Sequence, residues 1–352
     1  MRRTGLELST ALAVLSVIAA ASVAWSYGLP LRDPDGAPGP TFIRLPAMIL
    51  LALVIDVIPR IIIRAEGWRD ARRTAGIVAR ERWTPANLRF TFIGLAGWYA
   101  TYAAIRNLKG FVPVVNHNLY DNDLDRIDRN IFLGHRPAVL LHDVLGTDAA
   151  AHVLSFFYLG WIFALPISIA IALVWVRRAR VGTWWITAVS IDWILGVVIN
   201  LSLPTLGPVY ERPGEFAGLA PTKTAALQQS MMDDRIDVLT NPAHAHFVQN
   251  IAAFASLHVA IVMTACVIAH RAGLSRWIVW ALRAFLVITM IDTVYFGWHY
   301  ASDVIAGLLL GIAGAWLAEH FAAIDHDEET PKDVVADSEL RAPNLAGSRT
   351  RE

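Results

Sequence analysis

A histidine with a carboxylate one helical turn away, joined by a second histidine about 40 residues earlier, can transfer a phosphoryl group without a metal. His299-Tyr300-Ala301-Ser302-Asp303 supplies the pair. On a helix, positions i and i+4 share a face. Asp303 can therefore accept from one ring nitrogen of His299, set its tautomer and leave the other as nucleophile or base. Phe254-Ala255-Ser256-Leu257-His258 supplies the second imidazole, suited to protonating a leaving oxygen. A lone histidine near a helix end is often just a polar residue at a tolerated depth, but an Asp–His pair plus a second His on one side is harder to explain that way. Two other readings use the same residues. His244-Ala245-His246 precedes His258 and could build a metal site with it and His299, although no HExxH motif or cysteine cluster accompanies it. His299 and Asp303 could instead relay protons in a transporter, for which broken helices or inverted repeats would be expected and none is evident.

Such residues need a scaffold, and the composition says which solvent it meets. The 352-residue chain is 55% hydrophobic and 17% charged, with a mean hydropathy of +0.46. Soluble domains carry about 25% charged residues. Thirty basic against thirty acidic residues exclude a basic nucleic-acid binder. The apolar content excludes disorder for the bulk of the chain, and the single cysteine, Cys266, excludes a disulfide scaffold or CxxC site. Apolar runs of about 20 residues predict eight spans, at 6–27, 42–63, 90–108, 152–176, 184–203, 256–270, 277–296 and 301–321. The fold class expected is therefore an all-α integral membrane protein. The first run follows Arg2 and Arg3 and contains a cleavable-looking Ala19-Ala20-Ala21, but it exceeds the 7–15 residues of a signal core and reads as a retained helix. Asp56 and Asp192 fall inside spans, where pairing within the bundle is their simplest role.

The arginines orient the chain. Arg2 and Arg3, the run from Arg64 to Arg89, Arg177-Arg178-Ala179-Arg180, and Arg271 with Arg276 share one side, the cytoplasm, which also holds both termini. Connections 109–151 and 204–255 and the turn 297–299 are then extracytoplasmic. Segment 124–145 reads as an amphipathic helix on the outer interface. Together with loop 217–246, which contains Met231-Met232, it could form a lid. The expected organisation is two spans with an Arg-rich cytoplasmic loop (1–88), a six-helix catalytic core (89–322) and a disordered polar cytoplasmic tail (323–352). Three lysines against 27 arginines suggest a GC-rich bacterial genome, hence the plasma membrane, and make ceramide a doubtful acceptor.

Two segments resemble motifs of the type 2 phosphatidic acid phosphatase (lipid phosphate phosphatase) superfamily. Ala252-Ala253-Phe254-Ala255-Ser256-Leu257-His258-Val259-Ala260 is similar to its second motif in the form AAFPSLHVA, with Ala255 in place of proline. The run from His299 to Gly307 resembles the third motif, HYxxDxxxG. The wording is nearest the inositol phosphorylceramide synthase branch and more distantly the sphingomyelin synthases. Pro204-Thr205-Leu206-Gly207-Pro208-Val209-Tyr210 and the run from Leu124 to Gly134 resemble further segments of that branch. The likeness spans roughly 90–321.

The resemblance implies His299 as nucleophile, Asp303 as its orienting carboxylate and His258 as general acid, with no cofactor and no metal. Two departures matter. The lysine of the first motif, Lys-x6-Arg-Pro, is Thr205, leaving Arg212-Pro213, and the Ser-Arg pair before the third motif is Asp292-Thr293. With fewer cations, a singly charged phosphodiester suits the site better than a monoester carrying nearly two charges. The expected reaction moves a phospho-head group from a phospholipid donor to a hydroxyl-bearing lipid or glycan acceptor, with phosphoinositol from phosphatidylinositol implied by the branch. A lipid or polyprenyl (pyro)phosphate phosphatase is the alternative. Arg212 is the expected cation for phosphoryl oxygens, beside Tyr210 and the Gly207 turn. The helix starts at Ser256 and Ala301 are expected to offer N–H donors, Tyr300 to join the substrate site, and Asp292 to bind a head-group hydroxyl or orient His299.

Overall fold

Helix boundaries follow local chemistry in the computed structural model, which describes residues 6–34, 41–174, 179–245 and 248–321. The tail 323–352, Arg177 and Arg178, and His246 lie outside the described residues. Among the described residues the chain forms thirteen α-helices and no strand. The first four are α1 (Glu7–Tyr27), α2 (Thr41–Arg64), α3 (Trp68–Arg82) and α4 (Pro85–Val115). Then come α5 (Asp121–Ile131), α6 (Pro137–Leu145), α7 (Ala149–Val174), α8 (Ala179–Ser202), α9 (Pro208–Glu211) and α10 (Lys223–Thr240). The chain ends in α11 (Leu257–Arg271), α12 (Arg276–Tyr295) and α13 (Ala301–Phe321). Thr84 opens α4 by accepting from the Asn87 N–H, with Pro85 at the first helical position. Gly28 closes α1 in the left-handed conformation.

Five helices are long and apolar enough to cross a bilayer among the described residues, namely α1, α7, α8, α12 and α13. Their outward faces carry exposed Ile18, Phe156, Phe163, Trp277, Leu309 and Trp316, as lipid contact demands. This is an integral membrane protein. The other three expected spans are also helices, α2, α4 and α11, the last of only 15 residues.

Inside, α13 packs on α11 and α8, and α4 on α8 and α1. Trp184 is buried and its indole N–H donates to the Ala315 carbonyl at 2.8 Å. Gly307 permits a close approach of α13 to the start of α11: a Cβ there would stand 2.5 Å from the Ser256 carbonyl oxygen. Two carboxylates inside the bundle have partners. Asp56 pairs with Arg60 and Arg82, and Asp192 receives the Thr264 hydroxyl at 2.6 Å.

Three expectations need correction. Helix α4 does not stop at 108 but runs to Val115, because the lysine at 109 is followed by Gly110-Phe111-Val112, all buried. The connection after α2 is largely a helix, α3, whose Arg82 reaches back to Asp56. Segment 124–145 is two helices, broken at Leu133 and Gly134, both with positive φ. The first of them, α5, is also turned over. Asp121, Asp125 and Asp128 are 1–3% exposed, while Ile127, Ile131 and Leu133 face outward at 45–90%.

Candidate active site

His299 sits in the turn between α12 and α13, where Gly297 takes φ +67° and the His299 N–H donates to the Thr293 carbonyl. The side chain is buried, and its Nδ1 lies 3.3 Å from Asp303 Oδ2. The same carboxylate oxygen accepts from the Tyr300 N–H at 3.0 Å, so Asp303 holds both ring and backbone. Burial and, next, the Lys109 charge push the imidazole down to about 3, against the pull of the Ala253 carbonyl. His299 is therefore neutral at neutral pH, the form a nucleophile needs.

His258 arrives one residue into α11. Ser256 caps that helix, its Oγ accepting from the Val259 N–H, while its own N–H donates to the Asp303 carbonyl at 3.1 Å. The segment before it is pinned in sequence. Gln249 donates to the Lys109 carbonyl, and the Ala253 and Phe254 N–H groups donate to Thr205. The His258 ring packs against Trp161 and Tyr158, with its centroid 5.7 Å from that of His299. Both imidazoles line one cavity of about 70 Å³, with Lys109, Tyr158, Tyr210, Asn250 and Trp298. Tyr210 also lines a larger, mostly apolar cavity of about 360 Å³ under α10.

A second, tighter cavity, about 20 Å³, touches His299 and Tyr300 from the α5 side. There Asp121, Asp125 and Asp128, spaced to share one helical face, organise everything they touch. Asp121 accepts from the Leu206 and Gly207 N–H groups and the Tyr300 hydroxyl. Gly207 has φ +99° and approaches the Trp298 carbonyl too closely for a Cβ. Asp128 accepts from Ala301 N–H at 2.7 Å and Ser302 N–H at 2.9 Å. Burial pushes its carboxyl up while those two N–H groups pull it down. Asp125 binds Arg136 at 2.8 Å, Arg212 at 3.0 Å and Arg129 at 3.1 Å.

Against this frame of two histidines and a carboxylate, the family model of the PAP2 superfamily matches residues 122–317. The chain belongs to the PAP2 superfamily. No curated protein and no solved structure matches it. The family match begins inside α5 rather than near residue 90, so α4 and Lys109 precede it.

Within this PAP2 chain the expected site residues fall into two groups. His258, His299 and Asp303 are brought together, and Tyr210 borders their cavity. The others are otherwise engaged. Arg212 is ion-paired with Asp125 in a cavity that three carboxylates line. The expected helix-terminal donors are engaged in part by the chain itself: Ser256 takes the Val259 N–H of α11, and Asp128 takes the Ala301 and Ser302 N–H groups of α13. The Tyr300 hydroxyl is spent on Asp121. Asp292 is buried in α12 with one carboxylate oxygen unpartnered, and it borders neither cavity that His299 lines. Thr205, standing where the family has a lysine, anchors the strand of chain leading to His258. His244 is exposed, and among the described residues no three His, Cys, Asp or Glu side chains are placed so that they could hold a metal ion. Lys109 is the residue sequence reasoning missed. As the lone lysine of an apolar helix it was a functional candidate by type, but it was read as the first residue of a connection.

Proposed function

We propose that this PAP2-superfamily protein transfers a phospho-head group from a phospholipid, through a phosphohistidine, to a hydroxyl of a lipid or glycan acceptor. The observation that carries the reading is the shared cavity of His258 and His299, with Asp303 holding Nδ1 of the latter. His299 Nε2 attacks phosphorus as the bond to the lipid alkoxide breaks, and His258, which takes up a proton once the phosphodiester anion is bound beside it, gives that oxygen its proton. The acceptor hydroxyl then attacks phosphorus, the N–P bond breaks, and the hydroxyl proton returns to His258. The product is a new phosphodiester.

Two features support transfer over hydrolysis. Thr205 and Asp292-Thr293 replace the cations of a phosphatase site, which favours a singly charged diester. Tyr210 borders both the catalytic cavity and the larger one, which is room enough for part of a second substrate. The arginine distribution supports a site opening on the extracytoplasmic leaflet, and the branch resemblance supports phosphatidylinositol as donor. The test is purified protein given labelled phospholipids, with and without acceptor lipids. Product that forms only with acceptor is expected. Free phosphate released from phosphatidic acid would overturn transfer in favour of phosphatase action.

A further inference from the structure

Building on the phosphoryl-transfer reading, we propose that Lys109 is the cation that holds a non-bridging phosphoryl oxygen, and that its cavity takes a singly charged phosphodiester. Lys109 lies on α4, outside the family-matched residues, yet it borders the same cavity as His258 and His299. Its backbone position is fixed from two sides. The Gln249 side chain donates to its carbonyl at 2.9 Å, and a Cβ on neighbouring Gly110 would stand 2.6 Å from the Val248 side chain. The residues lining the cavity include no carboxylate. Among the described residues the Lys109 ammonium has neither a hydrogen bond nor an ion pair.

An ammonium among Tyr158, Leu257 and Trp298 is costly unless an anion meets it. The two imidazoles supply no negative charge. Two further polar atoms of the residues lining this cavity are buried without a partner, Asn250 Oδ1 and Trp298 Nε1. Donors (the ammonium and the indole N–H) beside an amide acceptor describe a polar ligand with both an oxyanion and a hydroxyl. A phospho-head group bearing hydroxyls has both. One cation in the cavity lining matches one negative charge, and Arg212, on the other side of His299, is already ion-paired with Asp125.

The test uses the full chain in detergent or nanodiscs, with Lys109→Met, Lys109→Arg and His299→Ala. Lys109→Met should lose about 10²–10³-fold in kcat/KM, the loss expected for one transition-state oxyanion donor, and Lys109→Arg should recover part of it. Dimethyl phosphate, a singly charged diester, should inhibit the wild type more strongly than inorganic phosphate, and that inhibition should vanish in Lys109→Met. Lys109→Gln, which keeps length and polarity, replaces the Met variant if that one does not purify as a single species. Wild-type turnover in a folded Lys109→Met or Lys109→Gln variant, with His299→Ala inactive, overturns the Lys109 role alone. Full activity in His299→Ala overturns the phosphoryl-transfer reading itself.

Discussion

The two cavities flanking His299 differ in charge more than in size. On the α5 side, Asp125, Asp128 and Glu215 line the space with Arg136 and Arg212, and the ions are bound to one another. On the α4 side, Lys109 stands with two imidazoles and no carboxylate. The first arrangement uses charge to hold backbone: it fixes the Gly207 turn, the Tyr300 hydroxyl and the start of α13. The second leaves charge for a ligand. Proximity to His299 therefore does not by itself leave an arginine unpaired. Its partners decide, and Asp125 holds Arg136 still more firmly in its charged form.

The contrast can be broken in three places. His299→Ala removes the group common to both cavities, so turnover should fall by at least about 10³-fold with the folded protein retained, read as labelled product per hour and as an unchanged elution profile. Retained turnover would dissolve the contrast altogether. Arg212→Ala should be much milder, less than about fivefold in kcat/KM, because a partly exposed ion pair is worth roughly 0–1 kcal/mol and Asp125 keeps two other arginines. A loss matching that of Lys109→Met would mean that both sides bind substrate. Asp128→Ala should act on stability first. It uncovers two N–H groups at the start of α13, which should cost about 1–2 kcal/mol in thermal unfolding of the detergent-solubilised protein. An unchanged melting temperature would show that α13 does not depend on that cap.

Much of this molecule could be read from the chain because the bilayer imposes simple rules. Apolar runs marked eight of the thirteen described helices, five of them long and apolar enough to span, and the spacing of His299 and Asp303 forecast their contact. What escaped had a common cause, namely that a pattern in one segment does not name its partner. The periodicity of α5 is the same whichever face turns inward, and only the distant Ala301 and Ser302 N–H groups and Arg212 make the acidic face the buried one. Lys109 looked like the end of a span because charge usually marks one, while its helix continues for six more residues. Arg212 was typed correctly as a cation, but its neutralisation by Asp125 crosses from another helix.

The turned-over α5 also sets the order in which the protein can be completed. Asp128 and the N–H it caps are 173 residues apart in the chain. At roughly 5–20 residues per second, α5 leaves the ribosome about 10–35 s before α13 exists. During that interval Asp125 can already pair with Arg129 and Arg136, while Asp128 has no helix start to cap. The catalytic turn between α12 and α13 is then closed by the last helix to arrive, onto a helix that has been waiting beside it. A chain cut short before Ala301 therefore lacks both Asp303, which holds the His299 ring, and the N–H groups that Asp128 accepts from.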